Sequence, residues 1–277
     1  MWAGKYGKGL RRPDPSKSAH RLHASLHPRL NAAATPKGSA ALTPCARMNQ
    51  GQTGTCHAHS GCASVWCALT AAGQPPAYVG SPRTLASCVY GDVRAASTPA
   101  GEPLPVLTDS GADLSDDATA LAKWGVAPIQ APTSDGRYSD VENDPPDNTF
   151  PEADPAQLEL AGKDLIAGEY AIPVDAQAPV LCALALDAGI PIWVGFEVDQ
   201  AFEDATPSTV VGAPDPAYAL GGHAVYLSAY RTAADGSYEF LLQNSWGSDW
   251  ADDGAVWVSE AWVLATWMLW LQSVKVD

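Results

Sequence analysis

The spacing of apolar positions changes character about two thirds of the way along the chain. Over residues 55–72, Cys62, Val65, Trp66 and Leu69 fall at i, i+3, i+4 and i+7, with Gly73 and two prolines just beyond. That pattern predicts a buried helix with a firm stop. Ser115 precedes Asp116 and Asp117, then apolar residues, Lys123 and Gly125. A cap, acids at the positive end of the helix dipole and a base at its negative end predict a second helix there. A third is expected over 179–188, where Pro179 suits the first turn and Gly189 the exit. Beyond Ile190 the pattern shifts to short β-type runs at 192–198, 224–230, 238–243, 255–258 and 268–276. Helices first and strands later predict an α+β molecule with two segregated lobes. Residues 131–157, rich in Asp, Pro, Ser and Asn, suit a surface connection. Residues 1–40 read as an arm, with one short helical stretch expected over 18–30.

Composition narrows the class. The chain has 277 residues, 46% apolar and 17% charged, enough to bury a full core and unlike a disordered or collagen-like chain. No run approaches the roughly 20 apolar residues that a bilayer span needs, and residues 1–30 lack the apolar block of a secretory signal. No membrane partner is expected, and the chain is placed inside the cell or packaged in a larger particle such as a virion. The net charge of -15 is unevenly spread: residues 1–47 hold nine bases and one acid, the remainder seven bases and 30 acids. The basic arm is therefore expected to dock on an acidic protein surface, its own or that of a larger assembly. The acidic body repels phosphate, which weighs against nucleic acid.

Six cysteines stand at 45, 56, 62, 67, 88 and 182, without a CxxC pair. This is neither a disulfide scaffold nor a metal ribbon. Cys56, His57, His59, Cys62 and Cys67 form a cluster in sequence, but one helix cannot present four ligands tetrahedrally. Neither a metal nor a cofactor is expected.

The stretch Asn49-Gln50-Gly51-Gln52-Thr53-Gly54-Thr55-Cys56 delivers a cysteine to the first turn of the buried helix. Unpaired N–H groups and the helix dipole stabilise a thiolate at that position, so a thiol pKa below about 8.5 is expected. Glycines at 51 and 54 allow tight turning and close approach to a substrate. A cysteine nucleophile needs a base. His223, in Gly221-Gly222-His223-Ala224-Val225 at the opening of a strand, is the best-placed histidine, because helical geometry turns His57 and His59 away from Cys56. Asn244, in Gln243-Asn244-Ser245-Trp246-Gly247, can hold the imidazole in one tautomer while Trp246 shields the bond. The Gln50 amide and the Cys56 backbone N–H can stabilise an oxyanion.

These blocks, in this order, resemble the papain-like cysteine peptidases of the branch found in bacteria and viruses; the likeness runs from about Ala41 to the C-terminus. It implies a two-lobed α+β fold, a helical lobe at about 41–150 facing an antiparallel β-barrel-like lobe at about 151–277. It also implies peptide hydrolysis through a thioester, with polypeptide as substrate. Cys56 would be nucleophile, His223 base and acid, Asn244 orienter and Gln50 oxyanion donor, with Gly54, Gly222 and Trp246 lining the substrate site. Thr53 stands where the family has a cysteine bridged to one resembling Cys88, so that disulfide is not expected. His57 replaces the usual aromatic after the nucleophile, which predicts a more polar wall beside the thiolate. The arm is too short for the family's inhibitory domain, so latency is expected to need another device. The alternative is a catalytically weak scaffold or a structural component of a larger assembly.

Overall fold

The computed structural model describes residues 6–12, 22–24, 27–31, 33–76, 79–97, 111–127, 158 and 166–275. Among them, nine strands form one sheet: β1 (Leu22–His23), β2 (Ser39–Ala41), β3 (Ile166–Ile172), β4 (Ile192–Asp199), β5 (Val210–Val211), β6 (Ala219–Thr232), β7 (Tyr238–Gln243), β8 (Ala255–Ser259) and β9 (Met268–Val274). The strand order is β1-β3-β9-β4-β6-β7-β8-β5, with β2 on β6. Pairing is antiparallel except at the two ends, where β1 joins β3 and β5 joins β8 in parallel. The long α-helices are α1 (Cys56–Ala71), α2 (Pro82–Ser97), α3 (Leu114–Trp124) and α4 (Ala178–Asp187); α5 (Gln200–Glu203) and α6 (Glu260–Val263) are single turns.

The central strands carry apolar residues on both faces. In β4 and β6, Val194, Phe196, Val225 and Leu227 join one apolar cluster with α4, whereas Trp193, Ala224 and Tyr226 join another with α1, α2 and α3. Period-2 alternation between two buried faces explains why 192–198 reads as an unbroken apolar run. Helix α1 is likewise buried around most of its circumference, from Cys56 to Val65 without a break. Small residues permit this: a Cβ on Gly61 would stand 3.1 Å from the Trp193 ring.

Several expectations shift. The cap of α3 is Asp113, whose carboxylate accepts from the Ser115 N–H at 2.9 Å, rather than Ser115 itself. The helix expected over 18–30 gives way, where described, to strand β1 at Leu22–His23. An open sheet edge satisfies backbone groups that a one-turn helix would leave unpaired. The arm is also less separate than the sequence suggests, since β1 and β2 extend the sheet and Ala24 and Leu30 enter its core. The connection expected at 131–157 and the end of the last expected strand, 276, lie outside the described residues.

Candidate active site

Cys56 opens α1 and is fully buried. Helix α1 lies against β6, which carries His223 five positions inside the strand rather than at its opening. Strand pairing sets His223 opposite Phe196 of β4, and the turn after β7 brings Asn244 within reach. His223 Nε2 and Asn244 Oδ1 are 2.7 Å apart. The same oxygen accepts the Ser245 N–H at 2.8 Å, so it faces donors, and His223 Nε2 carries the proton. That leaves Nδ1 as the unprotonated nitrogen of a neutral ring. It is buried and makes no hydrogen bond among the described residues.

Aromatic side chains enclose this pair. Trp246 stacks on His223 at 4.6 Å, and Phe196 meets it edge-on at 5.9 Å. Burial dominates the imidazole's titration, outweighing the Asn244 bond that favours the cation, with Lys8 and His59 adding to the depression; the pKa falls to about 3.

Gln50 is fully buried. Its Oε1 accepts from Ser245 Oγ at 2.6 Å, and its Nε2 donates to the Thr53 carbonyl at 2.8 Å. Ser245 thus orients Gln50 while its own N–H rests on Asn244. Its place between Asn244 and Trp246 is the only sequence signal for that role.

Arm residues 6–12 run through this cleft. Gln50 Nε2 and Trp246 Nε1 both donate to the Gly7 carbonyl, each at 3.2 Å, and Tyr6 stacks on Trp246 at 4.4 Å. Further along, Leu10 pairs antiparallel with Gly222, its N–H donating to the Gly222 carbonyl at 3.1 Å, and parallel with Ala112. A Cβ on Gly9 would stand 1.7 Å from the Gly54 carbonyl oxygen, and one on Gly222 would stand 2.1 Å from that of Leu10. Gly54, Gly222 and Trp246 therefore converge on one extended segment. Residues 6–12 thus lie along the site in extended form. The acidic surface that receives the arm is the chain's own: Lys8 pairs with Glu203, Arg12 with Glu197 and Arg11 with Asp116.

His57 does not form a polar wall. It is fully buried, with Nδ1 2.6 Å from Asp117 Oδ1 and Nε2 3.2 Å from the Tyr90 hydroxyl, tying α1 to α2 and α3. Desolvation raises the Asp117 pKa against the pull of His57. His59 Nδ1 lies 2.9 Å from the Thr55 carbonyl. The sequence cluster is thus dispersed, and no group of three metal-ligating side chains meets among the described residues. None of the six cysteines forms a disulfide. Thr53 fills its place with hydroxyl bonds to the Gln50 carbonyl and Thr55.

No protein-family model matches the chain. A stretch of 73 residues is 37% identical to cathepsin B-like CP2 of Giardia intestinalis, covering 25% of this chain and 23% of that protein. The chain thus matches less than a quarter of that relative's length. Among solved structures, xylellain, a cysteine protease from Xylella fastidiosa, aligns over 100% of this chain and 98% of its own, with a TM-score of 0.71 and 24% identity. ProCathepsin B S9 from Trypanosoma congolense aligns over 97% and 87%, with a TM-score of 0.65 and 12% identity. Procathepsin L 3 of Tenebrio molitor larval midgut aligns over 96% and 75%, with a TM-score of 0.62 and 15% identity. The fold is that of the papain-like cysteine proteases.

Proposed function

We propose that this chain is a papain-like cysteine peptidase of a bacterial branch, held latent by its own N-terminal arm. The observation that carries the reading is the Gly7 carbonyl, a peptide carbonyl received by Gln50 Nε2 and Trp246 Nε1 in a cleft that also holds the His223–Asn244 pair. In this reading the Cys56 thiol gives its proton to His223 Nδ1 as sulfur attacks the substrate carbonyl carbon. Asn244 holds the proton on Nε2, which keeps Nδ1 as the accepting nitrogen. Negative charge developing on the carbonyl oxygen is stabilised by the Gln50 amide and the N–H groups that open α1. His223 then returns its proton to the leaving amine as the C–N bond breaks, leaving a thioester. Water, deprotonated by His223, releases the acyl group and restores the thiol. With the arm in place the substrate path is filled, so turnover requires the arm to move.

A thiol-directed epoxide at neutral pH, applied to the chain carrying Gly9→Val so that the clash with Gly54 displaces the arm, tests the assignment. Modification concentrated on Cys56 over the other five cysteines, abolished by His223→Ala, is the expected result, with peptide cleavage lost in Cys56→Ala. Slow, uniform labelling together with no peptide cleavage would assign the chain to a scaffold role instead.

A further inference from the structure

Lys8 has no exposed surface, an unusual state for a lysine. Its ammonium donates to the Glu203 carboxylate and, at 3.1 Å, to the Tyr6 carbonyl, and lies 5.6 Å from the Trp246 ring centre. Glu203 is itself 2% exposed. It ends the single turn α5, which Asp199 caps through the Phe202 N–H at 2.9 Å, and its carbonyl accepts from Trp250 Nε1 at 3.2 Å. The carboxylate is thus fixed by the body of the molecule, while the cation it holds belongs to a segment that must leave.

Lys8 also follows directly on Gly7, whose carbonyl occupies the Gln50 donor. The pocket therefore receives a side chain one residue from the carbonyl under attack. When the arm departs, Glu203 keeps its place at the end of α5, where Trp250 holds its carbonyl, and gives up the Lys8 ammonium. A buried carboxylate that gives up an ion pair is costly, and a ligand that restores the cation recovers that energy. An ammonium is recognised through its charged tip on a flexible stem, so the pocket serves chains entering in either direction.

Resting on the peptidase reading, we propose that Glu203 determines specificity at the Trp246 end of the cleft, selecting polypeptides with a lysine beside the scissile bond. Lys8 is the internal occupant of that subsite, and the Trp246 ring, 5.6 Å from the Lys8 ammonium, forms its wall.

The test uses the full chain carrying Gly9→Val, in which the arm is displaced by the clash with Gly54. Peptides bearing lysine, norleucine or glutamate at each position flanking the cut bond are compared by kcat/KM. At one flanking position lysine is expected to exceed norleucine at least tenfold. Adding Glu203→Gln should reduce that ratio below threefold, and Glu203→Lys should invert it in favour of glutamate. A ratio near one with Glu203 intact, or one unmoved by both substitutions, overturns the proposal. The same peptides are also titrated by fluorescence anisotropy against Gly9→Val combined with Cys56→Ala. A tenfold tighter Kd for the lysine peptide that requires Glu203 supports the subsite even if no variant cleaves, an outcome that would overturn the peptidase reading alone. Equal Kd values overturn the subsite even if cleavage is robust.

Discussion

At the Trp246 end of the cleft the arm is held by side chains: the Tyr6 ring on Trp246 and the Lys8 ammonium on Glu203. At the Gly222 end it is held by backbone. Leu10 donates to the Gly222 carbonyl, Arg11 donates to the Ala112 carbonyl, and Ala112 donates back to Gly9. Leu10 adds an apolar side chain against Gly195 and Met268, while Arg11 and Arg12 point outward, with Arg12 paired to Glu197 at 71% side-chain exposure. The first end reads chemical identity, because a buried ion pair tolerates few replacements. The second end reads an extended conformation, because strand-type bonds are indifferent to side chains. A cleft built this way can accept many sequences along one half and few along the other. An arm that satisfies both halves makes an effective plug.

The largest effect is expected where the two ends share one constraint. Gly9 lies between Lys8 and Leu10, and the Gly54 carbonyl leaves no room for a Cβ. Gly9→Val can regain space only by lifting the arm, which breaks the contacts at both ends. Peptidase activity on a fluorogenic peptide should rise at least about tenfold, equivalent to roughly 1.4 kcal/mol or more of lost arm binding. Unchanged activity together with an arm still protected from added trypsin would show that the close approach is not what holds the cleft shut.

Acid sharpens the comparison by acting on the Trp246 end. In the closed form, burial and the nearby Lys8 hold the His223 pKa at about 3, against an ordinary value of 6.5. Between those limits the unfolded chain binds a proton at this residue and the closed form does not. Stability at this residue is therefore fully present above about pH 6.5 and declines as pH falls toward 3, by at most about 1.4 kcal/mol per pH unit. Urea unfolding of the wild type and of His223→Gln between pH 7 and 4 measures it. The wild type should lose stability relative to the variant on acidification. A constant difference between the two curves would mean that His223 is not held neutral.

How far the sequence reveals this arrangement depends on how local each signal is. Helix α1 and strand β7 announce themselves through spacing, and the residues gathered at the site each stand in a short block with its own chemistry. Helix α2 is less visible: its start lies in Ser81-Pro82, with Ser81 Oγ accepting the Thr84 N–H at 3.1 Å, but its apolar positions lack a long regular repeat. Strand β3 hides behind Gly168, where the register shifts against β9. Strands β1 and β2, of two and three residues, exist only because an edge of the sheet awaits them. The arm's role was the least legible. Nothing in the sequence distinguishes Gly7 and Gly9, and their need for glycine appears only when the Thr53 and Gly54 carbonyls are set against them. The charge balance predicts an acidic surface for the arm, but not that Lys8 is the base enclosed or that Glu203, far along the chain, encloses it. His57 misled for the same reason: its partner Asp117 lies on another helix, and no spacing rule connects them.

The smallest effect is expected at the Gly222 end, and its smallness is what the comparison requires. Arg12 lies 3.4 Å from Glu197 and 5.0 Å from the Trp267 ring centre, so a contact map alone would rank it beside Lys8. Its guanidinium is exposed, however, and water already solvates both partners. Pairing of this kind is worth roughly 0–1 kcal/mol, and salt weakens it. Arg12→Ala should raise the activity of the full chain by less than about threefold at physiological salt, and by less still in 0.5 M sodium chloride. Measuring the rate on one peptide at both salt concentrations is sufficient. An increase approaching that of Gly9→Val would mean that side chains hold the arm at both ends, and the division between a selective half and a permissive half of the cleft would fail.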